Sequence, residues 1–257
     1  MTNDASFVWE GNGCACAIFD EDGPVLLSPP WRAYFGEGYH PTIPPGSLEV
    51  YSFSSPVVHS VLRRDFSLTG KEYSLYTAVL AREGVRDRQM DLQLYQADIS
   101  FAHLFSLAEK GSACTACSIM SLFDSVAELL QRHVSSAIEI RMPLYNAAVV
   151  RVSRPALMMA LGLLAPDLLA EGELTLSLAQ ACFELLAIRL HGSCRRISPF
   201  VRSLILALGQ GGGFAVDFDE DAVSFTLARC EVIEHTLYAG PREWEDEDCF
   251  LIALAMR

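Results

Sequence analysis

The sequence predicts an α+β fold, and three patterns along its 257 residues indicate three parts. Alternating apolar and polar residues between residues 14 and 76 predict a small domain dominated by strands. Apolar residues three and four apart between residues 90 and 134 predict two long helices. From residue 151 to residue 228 the pattern runs helix, strand, strand, helix, strand, strand, which is typical of a sheet covered by helices.

The first part begins with two strands and ends with a hairpin. Residues 14–20 and 25–28 are apolar and flank an acidic turn, which predicts two short strands. Residues 57–64 are interpreted as a short helix. Residues 65–76 alternate on both sides of Thr69-Gly70, and this pattern predicts a hairpin.

This order of two strands, a helical middle and a closing hairpin resembles a small PAS-like sensor module over residues 1–82. The resemblance implies a pocket for a small ligand. Aromatic side chains around the loop rich in Gly and Pro, among them Trp31 and Tyr34, would line that pocket. An α+β domain without a ligand fits the same order equally well.

The second part, residues 83–135, contains two helices separated by Gly111-Ser112. The first, at residues 90–107, is apolar on two faces, and such a helix is usually buried between partners. The second is predicted from about residue 117 to residue 134. Together they predict a helical hairpin and a dimer. One face of the first helix carries Leu92, Tyr95, Ile99 and Ala102, and the other carries Leu94, Phe101, Phe105 and Ala108.

The third part, residues 136–257, holds the helix and strand pattern described above. Ser153 begins its first helix, and Ser198-Pro199 begins a second helix that Gly209 is placed to end. A glycine run separates the second helix from a final hairpin. Further strands are predicted at residues 138–152, 231–238 and 249–255, with an exposed acidic segment at residues 243–248.

This arrangement resembles the ATP-binding domain of sensor histidine kinases. Gly211, Gly212 and Gly213 with the strand that follows them look like the late glycine box of that family. The helical hairpin at residues 83–135 resembles the family's dimerisation and phosphotransfer hairpin, two of which pair into a four-helix bundle. The resemblance therefore implies a PAS-like module, a dimerisation hairpin and an ATPase-like α/β sandwich at residues 136–257.

The residues that would hold a nucleotide are missing from this pattern. In the family, two asparagines on the first helix hold magnesium and phosphate, and Gly162 and Pro166 stand at those positions here. The turn at residues 189–193 has no counterpart of the family's adenine-reading aspartate, and residues 194–198 are very short for its lid. Because magnesium-bound triphosphate needs hard oxygen ligands, we expect a degenerate domain without nucleotide, cofactor or metal.

His103 stands where the family carries its phosphorylated histidine. A neutral imidazole can attack a phosphoryl group, usually with help from a neighbouring carboxylate. In the family an acid follows the histidine and a proline comes soon after, whereas Leu104 follows here and the next proline is Pro143. The alternative interpretation is a polar residue at the edge of a helix bundle.

Two cysteine pairs and the glycine run allow other chemistry. Cys114 and Cys117 form a single CxxC, and Cys14 and Cys16 form a single CxC. Zinc needs four ligands and a redox pair needs a thiol of lowered pKa, so small buried thiols are the favoured interpretation. Residues 209–213 would cradle a phosphate through backbone N–H groups or form a tight connection, and the second is favoured.

Composition limits the classes of partner. A net charge of −13, with 19 basic and 32 acidic residues, argues against nucleic acid. Residues 156–170 are the best candidate for a membrane span, but Pro166 and Asp167 interrupt them. No secretory signal is evident, so a cytoplasmic location with eight reduced cysteines is expected. The hydrophobic content of 51% favours a protein-facing surface, most simply a homodimer.

Three functions remain open from the sequence. The favoured hypothesis is a non-catalytic signal-transduction protein, related to two-component histidine kinases, that dimerises and docks a partner such as a response regulator. The first alternative is an active histidine kinase or phosphotransferase using His103. The second is a small-ligand sensor that works through the N-terminal module.

Overall fold

A computed structural model describes residues 14–45, 48–49, 57–81, 88–133, 138–141, 148–169, 174–180, 184–230 and 246–257. The chain divides into two compact units. Unit 1 comprises residues 1–106 with residues 255–257, and unit 2 comprises residues 107–254. Both units combine helices with a sheet, so the prediction of a mixed helix and sheet fold is confirmed.

Unit 1 is built on a five-stranded antiparallel sheet with strand order β2-β1-β5-β4-β3. Ser28 caps the first helix, since its Oγ accepts the N–H groups of Trp31 and Cys16. The predicted hairpin is confirmed: Thr69 and Gly70 adopt φ of 52° and 79°, the left-handed geometry of a two-residue turn. The elements are β1 (Cys14–Asp20), β2 (Gly23–Leu27), α1 (Pro29–Phe35), β3 (Leu48–Glu49), β4 (Val57–Leu68), β5 (Lys71–Ala81) and α2 (Arg88–Lys110).

The two faces of this sheet carry different packing. Phe19 and Trp31 belong to a buried apolar cluster on one face. On the other face, Phe66 of β4 stacks on Phe105 of α2 with ring centroids 3.9 Å apart. Successive side chains along a strand point to opposite faces of the sheet, so the two clusters are separate. One side of α2 therefore packs within unit 1.

Strand β4 replaces the short helix predicted at residues 57–64. It pairs with β5 from Val57 opposite Ala81 to Leu68 opposite Lys71. The β-branched residues in this stretch suit a strand, and long pairing with the hairpin partner overrides weak local helix spacing. The prediction was wrong because it judged the stretch apart from its hairpin.

Unit 2 contains a five-stranded sheet of order β11-β12-β10-β9-β7 and a two-stranded sheet of β6 and β8. Strand β7 is parallel to β9, and the other pairs are antiparallel. The predicted order of helix, strand, strand, helix, glycines, strand, strand is confirmed. The elements are β6 (Thr115–Ser118), α3 (Ile119–His133), β7 (Ile138–Arg141), β8 (Val149–Val152), α4 (Arg154–Leu169), β9 (Leu174–Gln180), β10 (Leu185–His191), α5 (Pro199–Gly212), β11 (Phe214–Phe218), β12 (Ala222–Ala228) and α6 (Asp246–Ala255).

Helix α5 continues beyond its predicted end. Ser198 caps its start, and Gly213, with φ of 74°, caps its end in place of Gly209. A side chain at Gly209 would lie 2.7 Å from the Phe214 carbonyl oxygen, so this glycine provides close packing. The glycines at residues 209–213 correctly indicated that the helix ends in this region. Because several of them could cap a helix, the pattern did not identify which one does.

The predicted helical hairpin differs from the observed elements. Most of α2 belongs to unit 1, α3 belongs to unit 2, and strand β6 lies between them in the chain. Helix α3 begins at Ile119 because Thr115–Ser118 pairs with β8 instead. The three-part division at residues 1–82, 83–135 and 136–257 therefore stays a prediction.

The C-terminal strand predicted at residues 249–255 is wrong, because Asp246–Ala255 forms helix α6. Three acids in its first turn favour a helix through the partial positive charge of the helix N-terminus. These acids are also part of the predicted exposed acidic segment, whose first three residues lie outside the described residues. The strand predicted at residues 231–238 lies outside them as well. Among the described helices, none is long and apolar enough to cross a membrane.

Candidate functional site

Helix α6 covers the face of α4 on which Gly162 lies. A Cβ atom at Gly162 would overlap the Phe250 carbonyl oxygen and would lie 2.9 Å from the Ala253 Cβ. Phe250 and Ala253 are 1% and 0% exposed. The main chain of α6 thus occupies the space into which a side chain at position 162 would project. The asparagine of the resembled family does not fit there while α6 is docked.

Ion pairs connect the acidic first turn of α6 to two other helices of unit 2. Arg154, at the start of α4, donates from Nε to Asp246 Oδ2 at 2.9 Å and from Nη2 to Ser125 Oγ at 3.0 Å. At the end of α3, Arg132 Nη1 lies 2.9 Å and His133 Nε2 lies 2.8 Å from the carboxylate of Glu247. We call this set of side chains the α6 clamp.

The clamp shifts the titration of its charged groups. Burial alone would raise the pKa of Glu247, but hydrogen bonds and charge from Arg132 and His133 hold it below its usual value. The hydrogen bond to Asp246 raises the pKa of Arg154 against the effect of burial. Both shifts favour the charged forms of Glu247 and Arg154.

Apolar burial contributes more than the clamp to the docking of α6. The side chains that α6 buries are Cys249, Phe250, Ile252 and Ala253. Burial of Phe250 and Ile252 contributes about 1.5–3 kcal/mol for each side chain. Partly exposed ion pairs are typically worth less than ~1 kcal/mol each. The ion pairs therefore mainly fix the position of α6.

Pro166, the second position of the missing asparagines, lies inside α4 and is half-buried. Its ring carries no polar atom, and its nitrogen carries no hydrogen. Residue 166 therefore supplies neither a metal ligand nor a hydrogen bond to a phosphate from its side chain. Neither of the two positions provides a side-chain oxygen for magnesium.

The turn after β10 is closed by protein main chain. Gly192 N donates to the Asp221 carbonyl oxygen at 3.0 Å, and Cys194 N donates to the Glu220 carbonyl oxygen at 3.1 Å. Arg202 Nη2 also donates to the Cys194 carbonyl oxygen at 2.9 Å. These bonds hold the short connection between β10 and α5, and no carboxylate side chain belongs to the turn itself.

The glycine run at the end of α5 is packed against other segments of unit 2. A Cβ at Gly211 would lie 2.6 Å from the Gly111 Cα, one at Gly212 would lie 2.9 Å from the Ala156 Cβ, and one at Gly213 would lie 2.9 Å from the Cys114 Sγ. Ser112 N and Ser153 N donate to the carbonyl oxygens of Gly211 and Gly212 at 3.3 and 2.8 Å. This close packing favours the tight connection over a phosphate cradle.

His103 lies on α2 and is half-buried. Burial lowers its pKa, so its imidazole is neutral at neutral pH. Asp98, the preceding acid on the helix, is 1% exposed and accepts a hydrogen bond from Arg64 Nε at 3.2 Å. That carboxylate therefore already holds a cation of β4.

Burial disfavours the reactive thiolate at Cys14, Cys16 and Cys117 of the two cysteine motifs. Burial raises the pKa of Cys14 to about 11 and that of Cys16 to about 12, and it also raises the pKa of Cys117. Such thiols stay protonated at neutral pH and are poor nucleophiles. Among the described residues, no three His, Cys, Asp or Glu side chains are grouped to hold a metal ion.

Unit 1 contains a cavity of about 730 Å³ that the sequence pattern did not locate. Two ion pairs flank it: Lys71 with Asp20 at 2.7 Å and Arg63 with Asp65 at 2.8 Å. Trp31, expected to line a pocket, instead lies in the aromatic cluster beside it, 6.4 Å from the Phe19 ring. The residues lining the cavity include Phe19, Asp20, His40, Arg63, Asp65, Lys71, Tyr73, Ser74 and Tyr76.

No protein-family model and no curated protein matches this chain. Three similar solved structures are histidine kinases. A mycobacterial sensor histidine kinase, MprB, is 12% identical with a TM-score of 0.36, covering 45% of this chain and 97% of its own. Full-length ShkA in complex with AMPPNP is 14% identical with a TM-score of 0.36, and the match covers 57% of this chain and 39% of ShkA. The blue-light activated histidine kinase EL346 of Erythrobacter litoralis is 13% identical with a TM-score of 0.33, and the match covers 88% of this chain and 97% of EL346.

Proposed function

We propose that this chain is a non-catalytic signal-transduction protein related to sensor histidine kinases. The observation that carries the proposal is the packing of the α6 main chain on Gly162, at the position of a nucleotide-binding asparagine in the resembled family. Residues 136–257 are then a degenerate ATPase-like domain. Residues 1–82 are a PAS-like module, with α2 as the dimerisation helix.

The chemistry of the proposed nucleotide site supports the loss of ATP binding. Transfer of a phosphoryl group depends on magnesium and on positioned donors around the phosphates. Gly162 and Pro166 offer no oxygen ligand from a side chain, and the glycine run contacts protein segments. Binding to protein partners is the function that remains for such a domain.

The exposed side of α2 supports a homodimer. Tyr95 and Ile99 are 47% and 55% exposed, although the opposite side of the helix packs in unit 1. They lie one turn apart, so they form one stripe that a second copy of α2 covers in the dimer. A response-regulator-like protein is the expected partner of that dimer.

Calorimetric titration of magnesium-ATP into the full chain tests the proposal. We expect no saturable heat near a millimolar, because the ligands for magnesium and phosphate are missing. Saturable binding would instead favour the alternative of a histidine kinase or phosphotransferase that uses His103.

The cavity in unit 1 favours a second candidate, a small-ligand sensor. Its lining combines charged and polar side chains with aromatic rings, and its volume of about 730 Å³ suits a small organic molecule. Native mass spectrometry of the purified full chain should show a retained small molecule. Replacing Ser74, which lines the cavity, with tryptophan should remove that mass. A wild-type mass equal to the polypeptide alone would argue against this candidate.

A further inference from the structure

We propose that α3 and α4 form a docking groove for a helix with an acidic first turn. Helix α6 fills this groove within the chain, and a partner protein that presents a helix of the same chemistry enters it by displacing α6. The inference rests on the proposed function only in that the α4 face holds no nucleotide. The docking groove is the interaction surface, an acidic-ended helix is the partner, and α6 is the internal competitor for the groove.

The shape of the groove is matched to a helix backbone. Gly162 lets the main chain of α6 approach α4 more closely than any side chain would allow. Phe250 and Ile252 are 1% and 0% exposed in the docked helix. Close backbone approach with anchoring apolar side chains is the usual geometry of a helix bound in a groove.

The basic side chains of the groove favour a helix that binds with an acidic N-terminal turn. Arg154 binds Asp246, and Arg132 and His133 both bind Glu247. The two arginines, with the imidazole of His133 beside Glu247, gather around one helical turn in a chain of net charge −13. A partner helix therefore needs acids in its first turn and a large apolar residue one turn later.

Helix α6 has the properties of a separable occupant. It is ten residues long, and isolated helices shorter than ~12–15 residues are marginal in water. Asp246 and Glu247 contact side chains of α4 and α3, and Phe250 and Ala253 lie against Gly162 of α4. Release of α6 therefore couples undocking to loss of its helix, and a competing helix need only replace those contacts.

A fluorescent peptide with the sequence of residues 246–257 tests the groove on the full-length protein. The peptide and the chain's own α6 compete for one site, so the apparent affinity of the peptide rises by the factor by which internal docking falls. Replacing Phe250 with alanine in the full chain weakens internal docking by at least ~100-fold. The Phe250→Ala chain should therefore bind the wild-type peptide at least ~100-fold more tightly than the wild-type chain does.

Two controls separate groove binding from non-specific contact. Adding Arg154→Met to the Phe250→Ala chain should weaken peptide binding by about two- to fivefold, because it removes one partly exposed ion pair of the clamp. Adding Asp124→Asn, which changes an exposed acid of α3, should leave binding unchanged. Equal peptide binding by the wild-type chain, the Phe250→Ala chain and the Phe250→Ala/Arg154→Met chain would overturn the proposal.

Hydrogen exchange of the wild-type chain gives a second readout that needs no variant. The amides of α6 should exchange faster than those of α4, because α6 opens alone. Identical protection of the two helices would mean that α6 opens only with the whole of unit 2, and the groove proposal would be wrong. Neither readout involves nucleotide, so binding of ATP would refute the proposed function while leaving the groove to be judged by these results.

Discussion

Replacing Gly162 with asparagine is expected to lower the free energy of unfolding by about 2–6 kcal/mol and to confer no binding of ATP. The new side chain would overlap the Phe250 carbonyl oxygen, so α6 must shift away from α4. Overpacking of a filled core typically costs about 1–3 kcal/mol. A buried amide without hydrogen-bond partners adds a further ~1–3 kcal/mol.

The Gly162→Ala variant makes the sharper comparison. In an exposed helix this substitution stabilises by about 1 kcal/mol, because alanine has the higher helix propensity. Here the methyl group meets Phe250 and Ala253, and the overpacking offsets that gain, so we expect no stabilisation and a net loss of up to about 2 kcal/mol. Urea unfolding of both variants measures these changes.

Gly38 provides a matched control for these substitutions. A Cβ there would meet nothing within 4 Å, so Gly38→Ala and Gly38→Asn should leave the unfolding free energy nearly unchanged. If Gly162→Ala stabilised the protein as in an exposed helix, α6 would not lie on α4. The packing argument for a lost nucleotide site would then fail.

A double substitution of Tyr95 and Ile99 with glutamate is expected to weaken dimerisation by at least ~100-fold. Both side chains are exposed within one chain, so the fold of unit 1 should tolerate the change. In the proposed dimer, however, four carboxylates would enter one apolar contact between two copies of α2. Desolvation and repulsion of like charges both oppose that contact.

Light scattering at micromolar concentration measures this effect. We expect a dimer for the wild-type chain and a monomer for the Tyr95→Glu/Ile99→Glu variant. Leu206→Glu is the control, because Leu206 is 42% exposed on α5 and lies outside the proposed contact. A monomeric wild-type chain, or a variant that remains dimeric, would contradict the role given to α2.

Local patterns were enough to predict much of both units. The hairpin at Thr69 and Gly70 was predictable because its turn residues and its alternating strands point to the same structure. The order of elements from α4 to β12 was predictable because each one repeats its own period over several residues. Gly162 and Pro166 were identified as the degenerate positions from the resemblance to the histidine-kinase family. That resemblance aligns residues along the chain but does not show which residues surround them in the fold.

The remaining features depend on contacts between distant parts of the chain. Arg154 and Asp246 are 92 positions apart, and Arg132 and Glu247 are 115 apart, so no local pattern reveals the clamp. The apolar residues of α6 read as a strand because its acids were assigned to an exposed segment. The packing of α6 on Gly162 could not be predicted, because residues 246–255 were not predicted to form a helix.

The measurement that tests the central claim most directly is calorimetric titration of magnesium-ATP into the wild-type full chain. The packing at Gly162 and the missing oxygen ligands lead us to expect no saturable heat up to about a millimolar, where binding would be worth only ~4 kcal/mol. Saturable binding with one site per chain would contradict the loss of the nucleotide site, and His103 would then be the residue to test for phosphorylation.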